Sequence, residues 1–131
     1  MPRGMRCPCG LAATYDNCCG RLHRGEKHAP TAELLMRARF SAYACRDEVY
    51  LRSSWHPSHR PRRVDFHEDL QWTRLEIVAT TAGGLLDTEG SVEFRAYLER
   101  DGQPGVLAEH SRFIRHDGRW VYVDAIGASI T

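Results

Sequence analysis

The stretch SVEFRAYLERDG, residues 91–102, decides the fold. Val92, Phe94, Ala96 and Leu98 occupy every second position, and Asp101-Gly102 closes the run. A period of two with an Asp-Gly end is the pattern of a half-buried strand entering a tight hairpin. Reading forward, Val106 to Arg115 forms a second such run, ending at Asp117-Gly118. Trp120 to Asp124 then forms a third. Reading backward, Leu75, Ile77 and Ala79 alternate before Gly83-Gly84. The second half of the chain therefore reads as an antiparallel meander.

Before it the period changes. Thr31 follows Pro30 as an N-cap, and Glu33 suits the first turn. Leu35, Ala38, Ala42, Cys45 and Val49 recur at helical spacing, with Leu34 and Tyr43 widening the stripe. Asp47 caps a second short helix that stops before Trp55-His56-Pro57. His59 to Arg63 reads as a basic loop, and Val64 to Leu70 as a further short helix. A curved sheet wrapped over helices buries both apolar faces, so the class is α+β.

The chain of 131 residues, 42% hydrophobic and 27% charged, is long enough to bury a core unaided. Eighteen Lys and Arg against seventeen Asp and Glu leave no global basic field, which argues against general nucleic-acid binding. No apolar run is long enough to span a membrane, and the N-terminus lacks an apolar secretory core. The expected location is the cytoplasm, where thiols stay reduced.

Four of five cysteines lie in CPCGLAATYDNCCG, residues 7–20. Four thiols in one short loop of a reduced protein point to a metal, with zinc in a tetrahedral sulfur shell the best fit. Iron–sulfur ligation, two disulfides between the 7/9 and 18/19 pairs, and a redox centre are the alternatives. Gly10 and Gly20 each follow a cysteine, where a tight turn is needed. His23 is either a substitute ligand or a surface histidine. Four thiolates close the shell and leave no position for water, so the ion is structural rather than catalytic.

Cys7, Cys9, Gly10, Tyr15, Cys18 and Cys19 resemble the SEC-C motif, the zinc-binding element that ends the SecA translocation ATPase. Leu11-Ala12 replaces the motif's usual Ser-Gly, and its usual lysines are absent. GEKHAPTAELLMRARFSAYACRDEVYLRSSWHP (residues 25–57), Trp72, Glu109-x-Ser111-Arg112-Phe113 and Gly118-x-Trp120-x-Tyr122-x-Asp124 are similar to the YchJ family of bacterial proteins. The resemblance implies a zinc knuckle over residues 1–25. It also implies an NTF2-like (cystatin-like) cone over 26–131, with a pocket between helix and sheet. It further implies a role as an interaction module with a protein partner, and pairing of two copies through the sheet's outer face.

Candidates for that pocket are Glu93 and Arg95 on one strand, Glu109 and Ser111 on the next, and Tyr122 and Asp124 on the last. Trp55, His56 and Trp72 stand at its mouth. A carboxylate beside a histidine would serve acid–base chemistry, and a polar pocket would serve a small ligand. Against this, one face of an antiparallel sheet is commonly just solvated, and tryptophans are commonly core. Glu93 and Arg95 are then ordinary cross-strand partners, and His56 closes a loop. Arg37 and Arg39 are expected to pair with buried carboxylates, Asp124 among them. Cys45 is expected to be a core thiol. The functional expectation is a non-enzymatic adaptor with a structural zinc knuckle. A ligand-binding or enzymatic cone is the alternative.

Overall fold

The computed structural model describes residues 5–130, so residues 1–4 and 131 of the expected units lie outside it. A 3-10 turn (Tyr15–Asn17) and a short helix α1 (Cys19–His23) complete the cysteine-rich segment. Helix α2 (Ala32–Cys45) and helix α3 (Glu48–Ser53) follow. Strands β1 (Leu70–Ala82), β2 (Glu89–Arg100), β3 (Gln103–His116) and β4 (Arg119–Ile130) form one antiparallel sheet in sequential order.

The local chemistry explains these boundaries. The Thr31 hydroxyl accepts from the Leu34 amide at 3.2 Å and starts α2. Arg46 takes a left-handed conformation (φ 58°) and ends it. The Asp47 carboxylate then accepts from the Tyr50 amide at 3.0 Å and starts α3. This break in the helix takes Val49 off the expected stripe and leaves it 80% exposed. Asp101-Gly102 and Asp117-Gly118 all have positive φ and join directly paired strand ends, as two-residue hairpins require. Residues 64–69 form no helix. They run as an irregular connection, held partly by the Val64 amide on the Glu48 carboxylate.

The sheet curves around α2. Leu35, Met36 and Phe40 of the helix meet Leu75, Val92, Phe94, Ala96, Phe113 and Trp120 of the sheet in one core. Each of the large side chains contributes roughly 1.5–3 kcal/mol by leaving water. Trp120 Nε1 donates to Pro30 O at 3.1 Å and fixes the start of α2 against β4. Bulges interrupt the β3–β4 pairing at His110/Ser111 and again at Arg112/Phe113. The second has a direct effect on the candidate pocket.

Candidate metal centre and cone cavity

The cysteine segment is a small knuckle. Arg6 bridges Thr14, the Cys7 amide donates to Ala13 O at 2.9 Å, and the Gly10 amide returns to Cys7 O at 3.2 Å. Gly10 makes that turn with φ 94°. The loop presents Cys7 and Cys9, while the start of α1 presents Cys18 and Cys19. A Cβ on Gly20 would stand 2.6 Å from Tyr15 O, so only glycine lets the two pieces close.

The four sulfur atoms lie within 4.8 Å of one another, and Cys9 Sγ stands 3.6 Å from Cys18 Sγ. All four are free thiols, and Cys7, Cys9 and Cys19 are buried. Zinc–sulfur bonds of about 2.3 Å give a tetrahedron with edges of about 3.8 Å, so the donor set fits such an ion closely. Hydrogen bonds from the Cys19 and Cys9 thiols hold Cys7 far below the usual thiol range. Cys9 is lowered by Cys19, but bonding to Cys7 and burial outweigh this and push it up to about 12. Cys19 is raised by its bonds to Cys7 and Cys9 and by burial. Burial raises Cys18 too. Packed this closely, the sulfurs ionise together only around a cation.

The knuckle is docked on the back of α2, not on a free linker. Arg37 Nη1 donates to Cys9 O at 2.7 Å, and Cys7 Sγ meets Ser41 Oγ at 3.5 Å. Ala38 packs among the cysteines. His23 is neither ligand nor surface residue, since its side chain is 3% exposed. Its Nε2 bonds Ala38 O at 2.9 Å and must carry the proton. Its Nδ1 therefore accepts from the Tyr15 hydroxyl at 2.6 Å. Burial lowers its pKa and keeps it neutral. Cys45 is half-buried rather than fully within the core, and burial raises its thiol pKa.

On the other side of α2 the cone holds a cavity of about 220 Å³. Of the candidates, Trp55, Trp72, Glu109, Ser111 and Tyr122 line it. Phe113 and Trp120 belong to the core beneath and do not plug it. Four candidates fall elsewhere. Glu93 and Arg95 alternate with the inward Val92, Phe94 and Ala96, so they lie exposed on the outer face. There Arg95 reaches Glu76 across the strands at 3.5 Å. Asp124 has the same parity as Tyr122, but the bulge reverses its side: Tyr122 pairs with inward Phe113, and Asp124 with outward Arg112. Arg112 grips Asp124 with two bonds of 2.7 Å and holds its carboxyl below the usual range. His56 bonds Tyr122 O through its amide and accepts from the Ser58 amide through Nδ1. Its ring packs on His59 and His116. The histidine–carboxylate set expected for acid–base chemistry is thus not assembled.

The side chain that sequence reasoning misplaced is Arg39. It lines the cavity while only 3% exposed. Its guanidinium lies 4.7 Å from the Trp55 ring and 4.6 Å from the Tyr122 ring, and Nη1 donates to Leu51 O and Ser54 Oγ. Desolvation lowers its pKa. Among the described residues no carboxylate reaches it; Arg37 instead takes Glu33 at 3.0 Å, four residues earlier on α2. The spacing Met36, Arg39, Phe40, Tyr43 marks one helical face, and that face is the cavity wall.

Comparison with known proteins agrees with this architecture. Residues 31–125 match the family model "YchJ, middle NTF2-like domain". A UPF0225 protein of Streptomyces avermitilis is 50% identical over 123 residues, spanning 94% of this chain and 85% of its own. The solution structure of a SEC-C motif containing protein from Rhodopseudomonas palustris superposes with a TM-score of 0.82 at 31% identity, covering 95% of this chain and all of the other. A crystal structure of a SEC-C motif containing protein from Psychrobacter arcticus gives 0.78 at 26%, covering 93% and 82%. Knuckle, curved sheet and cone together place the chain in the YchJ (UPF0225) family, a SEC-C motif followed by an NTF2-like domain.

Proposed function

We propose that the protein is a small-ligand-binding cone whose helical wall is braced from behind by one structural zinc ion on Cys7, Cys9, Cys18 and Cys19. The observation that carries the ligand reading is the open aromatic cavity holding a buried, stacked Arg39 that forms no ion pair with a carboxylate among the described residues. The closed four-sulfur shell supports a structural metal, and hard oxygen-preferring ions would be excluded from it. The cytoplasm is the matching compartment, because the shell works only with reduced thiols.

A second reading is the adaptor. It is favoured by a surface groove beside Cys18 and Cys19, where Leu11, Leu22 and Leu34 form an apolar floor and Arg21, Lys27 and Arg37 a basic rim. That groove suits an acidic, partly apolar peptide of a protein partner.

Metal analysis of reduced, untagged protein tests the zinc. About one zinc per chain is expected, and protein without metal would refute it. Ala96 lies in the cavity wall, so Ala96→Phe fills the space. It is expected to abolish small-molecule binding while leaving the zinc content intact. Unchanged binding in that variant would remove the cone reading and favour the groove.

A further inference from the structure

The cavity holds two opposite charges that do not pair with each other. Arg39 comes from α2 and Glu109 from β3, and both line it. Of the guanidinium's five donors, the two on Nη1 are taken by Leu51 O and Ser54 Oγ. Trp55 and Tyr122 cover it as stacked rings. The Tyr43 hydroxyl hydrogen-bonds to the guanidinium and Glu109 is near enough to feel its charge, but among the described residues no carboxylate forms an ion pair with it. Glu109 accepts from the Ser111 hydroxyl through Oε2 at 2.5 Å, which leaves Oε1 for another donor.

Buried charges are costly unless they are paired, and a cavity that keeps both signs apart is complementary to a molecule carrying both. A guanidinium fork with stacked faces suits a planar carboxylate. A carboxylate beside aromatic rings suits an ammonium. The rest of the wall, including Met36, Phe40, Trp72 and Phe94, is apolar. A cavity of roughly 150 Å³ admits one benzene ring, so about 220 Å³ suits one ring, or a branched chain, with a short polar head. A zwitterion also adds no net charge to the interior.

We infer that the cone binds a small apolar zwitterion, an α-amino acid with an aromatic or branched side chain, its carboxylate on Arg39 and its ammonium on Glu109. This rests on the cone being a ligand cavity, and the probes separate the two claims.

Calorimetric titration of the zinc-loaded chain would compare L-phenylalanine with 3-phenylpropionate, 2-phenylethylamine and uncharged benzyl alcohol. Phenylalanine should bind about tenfold or more tightly than either single-charge analogue, the scale of one lost charge-assisted bond. Glu109→Gln should lower phenylalanine affinity by about the same factor and leave 3-phenylpropionate no weaker. Arg39→Lys keeps the charge but loses the fork, and should weaken both carboxylates; a thermal melt checks that each variant is folded. An analogue binding as tightly as phenylalanine, or an unchanged affinity in a folded Glu109→Gln chain, overturns the zwitterion but leaves the cavity. Binding of benzyl alcohol alone does the same. If none of the four binds, both claims fall.

Discussion

Helix α2 has two buried faces, and they are buried by opposite means. Toward the sheet it presents Leu35, Met36 and Phe40, which interlock with a large apolar core. Toward the knuckle it presents Ala38 and Ser41, small enough for the cysteine loop to approach, and the contact is held by Arg37, His23 and the sulfur cluster. One face stands on the hydrophobic effect. The other stands on a few polar bonds and, in our reading, on a metal. The same helix therefore sits between a self-sufficient body and a dependent one.

The largest test of that contrast is metal removal. Cys9→Ser with Cys18→Ser should abolish zinc binding, and with it the folding energy that such sites supply. Amide exchange should then accelerate across residues 5–25, while β2 and β3 stay protected. Equal loss in the sheet would break the comparison. On the other face, Phe40→Ala should cost about 3–5 kcal/mol of global stability by leaving a cavity. Zinc content should not change, as elemental analysis of the folded fraction would show.

A smaller effect is expected from Gly20→Ala. The added Cβ would meet Tyr15 O, so the knuckle must shift at a cost of about 1–3 kcal/mol, the usual scale of overpacking. Faster amide exchange confined to the knuckle would confirm it. Acid should act on the same region through His23. Its folded pKa lies below its unfolded value of about 6.5, so the unfolded chain takes up protons first. The docking is thus fully stable above that value and weakens as pH falls through it. His23→Gln should flatten that part of the profile, measured by amide exchange at pH 7.5 and 5.5. The smallest change belongs to Asp124→Asn, because the Arg112 pair is exposed. A melt indistinguishable from the parent is expected, and a large drop would return Asp124 to the interior.

The meander was legible because alternation and Asp-Gly turns are local signals, and the Thr31 and Asp47 caps are local too. The cysteine set was legible as a cluster from its spacing. What spacing could not convey was which way side chains face after an irregularity. Asp124 follows Tyr122 by two and should share its side. One extra residue in the β4 pairing turns it outward. Glu93 and Arg95 were excluded by the very alternation that places Phe94 inside. Arg39 is a charged residue in an apolar wall, so pattern reasoning assigned it an ion-pair partner. Its partners include two rings, a backbone carbonyl, a serine hydroxyl and the Tyr43 hydroxyl. The run from Val64 to Leu70 has apolar residues but no cap, and Glu48 draws the Val64 amide into an extended path.

The four cysteines fall within residues 7–19, whereas the helix they rest on ends at residue 45 and the sheet begins at residue 70. Closing so short a loop carries little entropic cost, and it requires no contact from later in the chain. As the protein leaves the ribosome, all four cysteines emerge before α2 does. Synthesis thus delivers the knuckle first, α2 next and the hairpins last. On the reading that these cysteines hold a metal, its supply at that stage would govern whether α2, on emerging, meets a finished platform or an open loop.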